Sequence, residues 1–152
     1  MILSEALMQR ADLQRRLEQI KARLLRNARV QEGEKPAEDP EQLLAEFERT
    51  ATELTAMVQR INRTNSAVAF DAGMTLTDAI AVRDGLRKRA SVYTDVITAA
   101  VVRQDRYTRS EIRFQPAIDV ATMQAQADTF ARAARELDAR IQALNWKVEL
   151  VE

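Results

Sequence analysis

The sequence predicts an all-α protein built as an antiparallel up-down bundle of four long helices, on three observations. Apolar residues recur at alternating three- and four-residue spacing over long stretches, the pattern that keeps one helix face against a partner. Only 3 Gly and 3 Pro interrupt 152 residues. Charged residues reach 30% and are mostly types that helices accept on a solvated face. The length suits a single helical domain, 1–152, with helices expected at about 4–29, 40–63, 76–103 and 120–145.

The first helix carries Leu13, Leu17, Ile20 and Leu24 on one seam, widened by Leu3, Leu7 and Leu25, with Ser4 as the expected N-cap. The second opens on a strong start signal. Asp39 is a good N-cap, Pro40 suits the first helical position, and Gln42 stands where a capping box places it. Its stripe is Leu43, Leu44, Phe47, Ala51, Leu54, Val58 and Ile61, and it is expected to fade at 62–65, with asparagine closing a polar exit that includes Arg60 and Arg63. The third starts at Thr75, with Asp78 three residues on, and continues through Leu76, Ile80, Leu86, Tyr93 and Ile97. Gly85 inside it costs about 1 kcal/mol relative to alanine. The fourth, capped by Asp119, has the most regular seam: Val120, Met123, Ala127, Phe130, Ala134, Leu137, Ile141 and Leu144. Ala127 and Ala134 leave room for a neighbouring helix to approach.

Three long connections and a tail complete the chain. The first, 30–39, is acidic, with Glu32, Glu34 and Glu38 and a lone Lys35. The second holds an extended piece near 66–70 that ends in a turn at Gly73. The third carries arginines around Tyr107 and an extended piece near 111–115, and the tail alternates apolar and polar residues over 146–150 as a half-buried strand does. In an up-down bundle the acidic and arginine-rich connections share one end. Val68, Phe70, Trp146, Val148 and Leu150 then meet at the other end, as an apolar cap or a tiny sheet.

Composition narrows the chemistry. There is no cysteine and no histidine, so thiolate nucleophiles, zinc-thiolate sites and histidine-based acid-base or nucleophile pairs are excluded. Asp128, Glu136 and Asp138 stand at helical spacing with no second ligand set beside them, and the scattered glycines form no phosphate loop. No catalytic residue, metal site or cofactor is therefore expected. The 23 basic and 23 acidic side chains balance, which argues against a general affinity for nucleic acid. No uncharged run approaches the ~18 residues that span a bilayer, and 1–5 lead straight into a charged amphipathic pattern, so no membrane association and a cytoplasmic location are expected.

One candidate binding surface remains: Arg103, Arg106, Tyr107, Arg109 and Arg113. Guanidinium forks bind phosphate bidentately and a tyrosine can stack on a base. The competing reading pairs these arginines with Glu32, Glu34 and Glu38, within a subunit or across an oligomer interface. A second basic stretch, Arg83, Arg87, Lys88 and Arg89, reads as a solvated helix face.

Several runs are distinctive: Arg10-Ala-Asp-Leu-Gln14, Val30-Gln-Glu-Gly-Glu34, Pro36-Ala-Glu-Asp-Pro40, Arg60-Ile-Asn-Arg-Thr-Asn65, Thr75-Leu-Thr77, Arg109-Ser-Glu-Ile112 and Asn145-Trp146. Through them nearly the whole chain resembles the small bacterial proteins called septicolysin. The resemblance implies a helical fold and a bacterial origin, and its name implies a cytolysin. The family is otherwise of unknown function, so no catalytic or binding residue carries over. A pore needs long apolar helices or amphipathic strands of about ten residues, whereas the extended pieces here are about five residues each. The expected function is accordingly a non-enzymatic helical interaction or scaffold protein that forms a homo-oligomer. The alternative is nucleic-acid or phosphate-ligand binding through the 103–113 region, with membrane lysis a remote third.

Overall fold

The computed structural model describes residues 1–101 and 113–152. The fold is mainly helical, as the sequence predicts: α1 (Leu3–Asn27), α2 (Pro40–Ala67), β1 (Ala69–Asp71), β2 (Met74–Thr75), α3 (Leu76–Ala100) and α4 (Val120–Asn145). These elements divide into two compact units, Met1–Ala69 with Ala143–Glu152, and Phe70–Gln142.

The first unit is an α1/α2 pair closed by the C-terminal tail. In α1 no residue of the row Leu3, Ala6, Arg10, Leu13, Leu17, Ile20, Leu24 and Asn27 is exposed. The row in α2 is Leu43, Phe47, Thr50, Leu54, Met57, Ile61 and Thr64, again with none exposed. Both rows alternate steps of three and four, the heptad period that holds a seam on one face. Leu25 and Leu44, expected to widen the stripes, are instead 70% and 50% exposed because they fall outside this period. Buried Thr50 and Thr64 take apolar positions. Each hydroxyl donates to the carbonyl four residues back, Thr50 to Glu46 at 2.9 Å and Thr64 to Arg60 at 2.8 Å, so the polar atom is satisfied within its own helix.

Both ends of this unit depart from the sequence reading. Ser4 is not the N-cap. The Leu3 amide donates to the Val148 carbonyl at 2.8 Å and the Leu150 amide to the Met1 carbonyl at 2.9 Å. This backbone pairing, an antiparallel bridge between Ile2 and Glu149, anchors the helix from Leu3 with Ile2 as its N-cap, and the Ala6 amide that a Ser4 cap would take donates to the Ile2 carbonyl at 3.2 Å. Glu5 accepts the Ile2 amide at 3.1 Å. Ser4 is left buried, its hydroxyl without a partner among the described residues. The tail's strand partner is thus the N-terminal segment, not Val68 and Phe70, and Trp146 is 59% exposed rather than part of a cap.

At the other end of the tail, the Val151 amide donates to the Thr64 hydroxyl at 3.0 Å, and Arg60 Nε donates to the Val151 carbonyl at 3.3 Å. These bonds explain why α2 runs on to Ala67 instead of fading at 62–65: Thr64, fully buried, continues the seam past the asparagines.

The second unit opens at Phe70 within the β1/β2 hairpin, which turns through Gly73 at φ +75°. Its strand lies at Ala69–Asp71, slightly beyond the expected 66–70. Thr75 and Asp78 cap α3 reciprocally, the Asp78 carboxylate accepting the Thr75 amide at 2.8 Å and the Thr75 hydroxyl accepting the Asp78 amide at 3.3 Å. Asp119 caps α4, accepting the Thr122 amide at 3.1 Å. Along α3, none of Leu76, Ala79, Arg83, Leu86, Ala90, Tyr93, Ile97 and Ala100 is exposed, and the same holds for every position of the α4 seam named above. Tyr93 meets Phe130 edge to face at 5.3 Å, joining the two helices. Of the extended piece expected at 111–115, residues 111–112 lie outside the described residues and 113–116 are irregular.

Thr64→Val keeps the volume and removes the acceptor for the Val151 amide. The expected result is a loss of about 1 kcal/mol in denaturant unfolding, with faster amide exchange at Val151 and Leu150 than in the parent.

Candidate functional site

Of the expected arginine-rich surface, Arg103, Arg106, Tyr107 and Arg109 lie outside the described residues, and Arg113 is exposed. In the acidic connection, Glu32 and Glu34 are exposed while Glu38 is held by α1. Arg23 Nε donates to both Glu38 oxygens at 3.1 Å, and Arg23 Nη2 donates to Oε1 at 2.5 Å. Glu46 of α2 stands 3.7 Å from the same guanidinium and accepts from Arg16 at 3.0 Å. Buried Asn27 completes the corner, donating to the Arg23 carbonyl at 2.9 Å and accepting the Glu38 amide at 3.0 Å. The Arg23 hydrogen bonds hold Glu38 below the usual carboxylate range against the opposing effect of burial. Glu38 thus has a local partner that fastens the end of the acidic connection to α1.

The second basic stretch is not a uniformly solvated face. Arg83 sits in the buried row of α3, its side chain 15% exposed, and donates to Asp84 at 2.9 Å and Asp138 of α4 at 2.8 Å. Arg87 joins Asp138 at 3.2 Å. Burial raises the Asp138 carboxyl, but the Arg83 hydrogen bond and the Arg87 charge outweigh it and leave the group below its ordinary value. Burial likewise opposes the charge on Arg83, and its two aspartates more than compensate. The helix-face reading failed here because Asp138 lies 55 residues away in sequence. Nearby, Arg140 donates to Asp71 at 2.6 Å and lies over the Phe70 ring at 4.5 Å, tying the hairpin to α4. Each of these charges is already matched, so the clusters read as fasteners within the fold.

An exposed apolar row lies on the outer side of α3. Val82, Val92 and Val96 are 45%, 43% and 38% exposed. Ala81, Val82, Gly85, Leu86 and Arg89 line a groove of about 490 Å³. A second of about 490 Å³ is lined by Val96, Ala99 and Ala100 with Phe114, Pro116 and Ile118 among others, and Phe114 is 79% exposed. A Cβ added at Gly85 meets nothing within 4 Å, so packing within the described residues does not require the glycine. The sequence reading traced only the inner stripe of α3. The signal it passed over is a second apolar row in the same helix.

Residues 10–150 match a family described as one of unknown function, DUF6847. The chain belongs to that family. It is also similar to a crystal structure described as a functionally unknown conserved protein from Corynebacterium diphtheriae, at 46% identity, with 99% of each chain covered and a TM-score of 0.92. No curated protein matches it. Neither description carries the septicolysin name, and among the described residues no helix is long and apolar enough to cross a membrane.

Asp138→Asn removes the charge shared by two arginines and is expected to lower stability by about 1–2 kcal/mol, between an exposed and a buried pair. Asp78, Asp119, Asp138 and Glu38 are all lowered in the folded state. Their stabilisation is present above the unfolded carboxylate values and is lost as pH falls below about 4. The parent should lose more stability than Asp138→Asn between neutral pH and that range, as read by denaturant midpoints. Separately, Gly85→Ala should raise stability by about 1 kcal/mol, read the same way in dilute solution.

Proposed function

We propose that this protein is a non-enzymatic helical interaction protein that works as a homo-oligomer. The observation that carries the reading is the two-sided character of α3. One row, from Leu76 to Ala100, is covered, while Val82, Val92 and Val96 on the outer side stand in solvent. A solvated helix face gains nothing from valine, which is a weaker helix former than lysine or glutamate and leaves apolar area in water. Apolar rows of this kind mark association surfaces, and Phe114 extends the apolar area next to Val96 and Ala99. Around this surface the ionic groups are matched internally, Arg83 and Arg87 with Asp138 and Arg140 with Asp71, which favours a role in assembly over charge-directed ligand capture.

Sedimentation velocity across a wide concentration range tests the reading. A species heavier than the 17.2 kDa chain that grows with concentration is expected. A strict monomer throughout removes the homo-oligomer.

A further inference from the structure

We infer that the outer row of α3 pairs with the same row of a second copy, antiparallel across a two-fold axis, with Lys88 facing the partner's Asp95. The inference rests on the homo-oligomer reading and specifies its interface. The row is Val82, Gly85, Arg89, Val92, Val96 and Ala99, again in steps of three and four, so it stays on one side of the helix along its length. Reversing a second copy about the midpoint sets Val82 against Ala99, Gly85 against Val96 and Arg89 against Val92. A large side chain meets a small one at the first two levels. At the third, the Arg89 guanidinium is drawn aside over Phe130, 5.8 Å from its ring centre.

Gly85 supports a close approach from outside. It lowers the helix propensity of α3, and nothing among the described residues stands within 4 Å of where its Cβ would be. A groove opens at that level, and a valine from an opposing helix fits the space a side chain would fill.

Charge selects the occupant and its direction. Lys88 and Asp95 each precede a row position, Arg89 and Val96, so they flank the row on the same side. Both are exposed, and neither makes an ion pair among the described residues. In an antiparallel pair, residues of this flank meet their counterparts from the other helix. Reversal brings Lys88 to the partner's Asp95, and symmetry repeats the contact. In a parallel pair Lys88 would instead face the partner's Tyr93, and the match would be lost. The pattern is complementary to its own reverse, which is the requirement for an isologous interface.

The test uses the full chain in sedimentation equilibrium, with circular dichroism to confirm folding. The parent is expected to dimerise. Lys88→Glu and Asp95→Lys, each alone, place like charges opposite one another and should weaken the dimer at least about tenfold. The double variant carries the swapped pair and should recover most of the parent affinity. Val96→Glu, at an exposed position, should give a folded monomer. If the parent dimerises and neither single charge variant changes it, this interface is wrong and the homo-oligomer reading stands. If the singles weaken the dimer and the double does not recover, the antiparallel pairing is overturned. A parent that stays monomeric overturns both.

Discussion

Each helix must keep one row of side chains out of water along its whole length, and the alternating three-four spacing is how this chain meets that constraint. Ordinary α-helical periodicity drifts about 20° per heptad against such a row, so a strict row over a long helix favours helices that coil gently around their neighbours. Four helices satisfy it without a break, from Leu3 to Asn27 in α1, Leu43 to Thr64 in α2, Leu76 to Ala100 in α3 and Val120 to Leu144 in α4. The hairpin turn, the tail pairing and the ionic fasteners are placed by what those rows leave at the helix ends and margins.

Polar residues inside the rows show how the constraint is relaxed. Thr50 and Thr64 direct their hydroxyls to carbonyls of their own helix and pack as apolar groups of valine size. Asn27 spends both ends of its amide on closing α1 and holding Glu38. Arg83 keeps its stem within the row and its head on Asp84 and Asp138. Arg10 Nε, inside the α1 row, and the Ser4 hydroxyl beside that row are the contrast, both buried without a hydrogen-bond partner among the described residues. For Ser4, in the first turn, no helical carbonyl lies four residues back, so the device used by the threonines is missing.

The charged clusters and the exposed apolar row of α3 differ in whether the fold supplies them with partners. Glu38 is bound by Arg23, and Asp138 by two arginines, so the most conspicuous charges within the described units act inwardly. The outer row of α3 differs because, among the described residues, its apolar side chains are left exposed and its Lys88 and Asp95 flank makes no ion pair. The family is one of unknown function, and the association proposed above rests on that surface.

Legible from residue order were the helical class, the near positions of all four helices, the α4 seam and the Asp39, Thr75 and Asp119 caps, Asp39 accepting the Glu41 amide at 3.0 Å. These follow from local rules, periodicity and end chemistry, which act within a few residues. Tertiary structure alone decided the rest. Thr50 and Thr64 read as polar until their hydroxyls are seen to be satisfied, so the expected α2 stripe runs through Ala51 in place of Thr50 and ends at Ile61. Ser4 reads as a cap, but the tail pairing starts the helix at Leu3 and the Ala6 amide lies on the Ile2 carbonyl. Arg83 and Arg87 read as solvated because Asp138, which matches them, belongs to another helix. In each case the deciding atom lies far along the chain or in a hydrogen bond that residue type does not announce, and only the folded geometry supplies it.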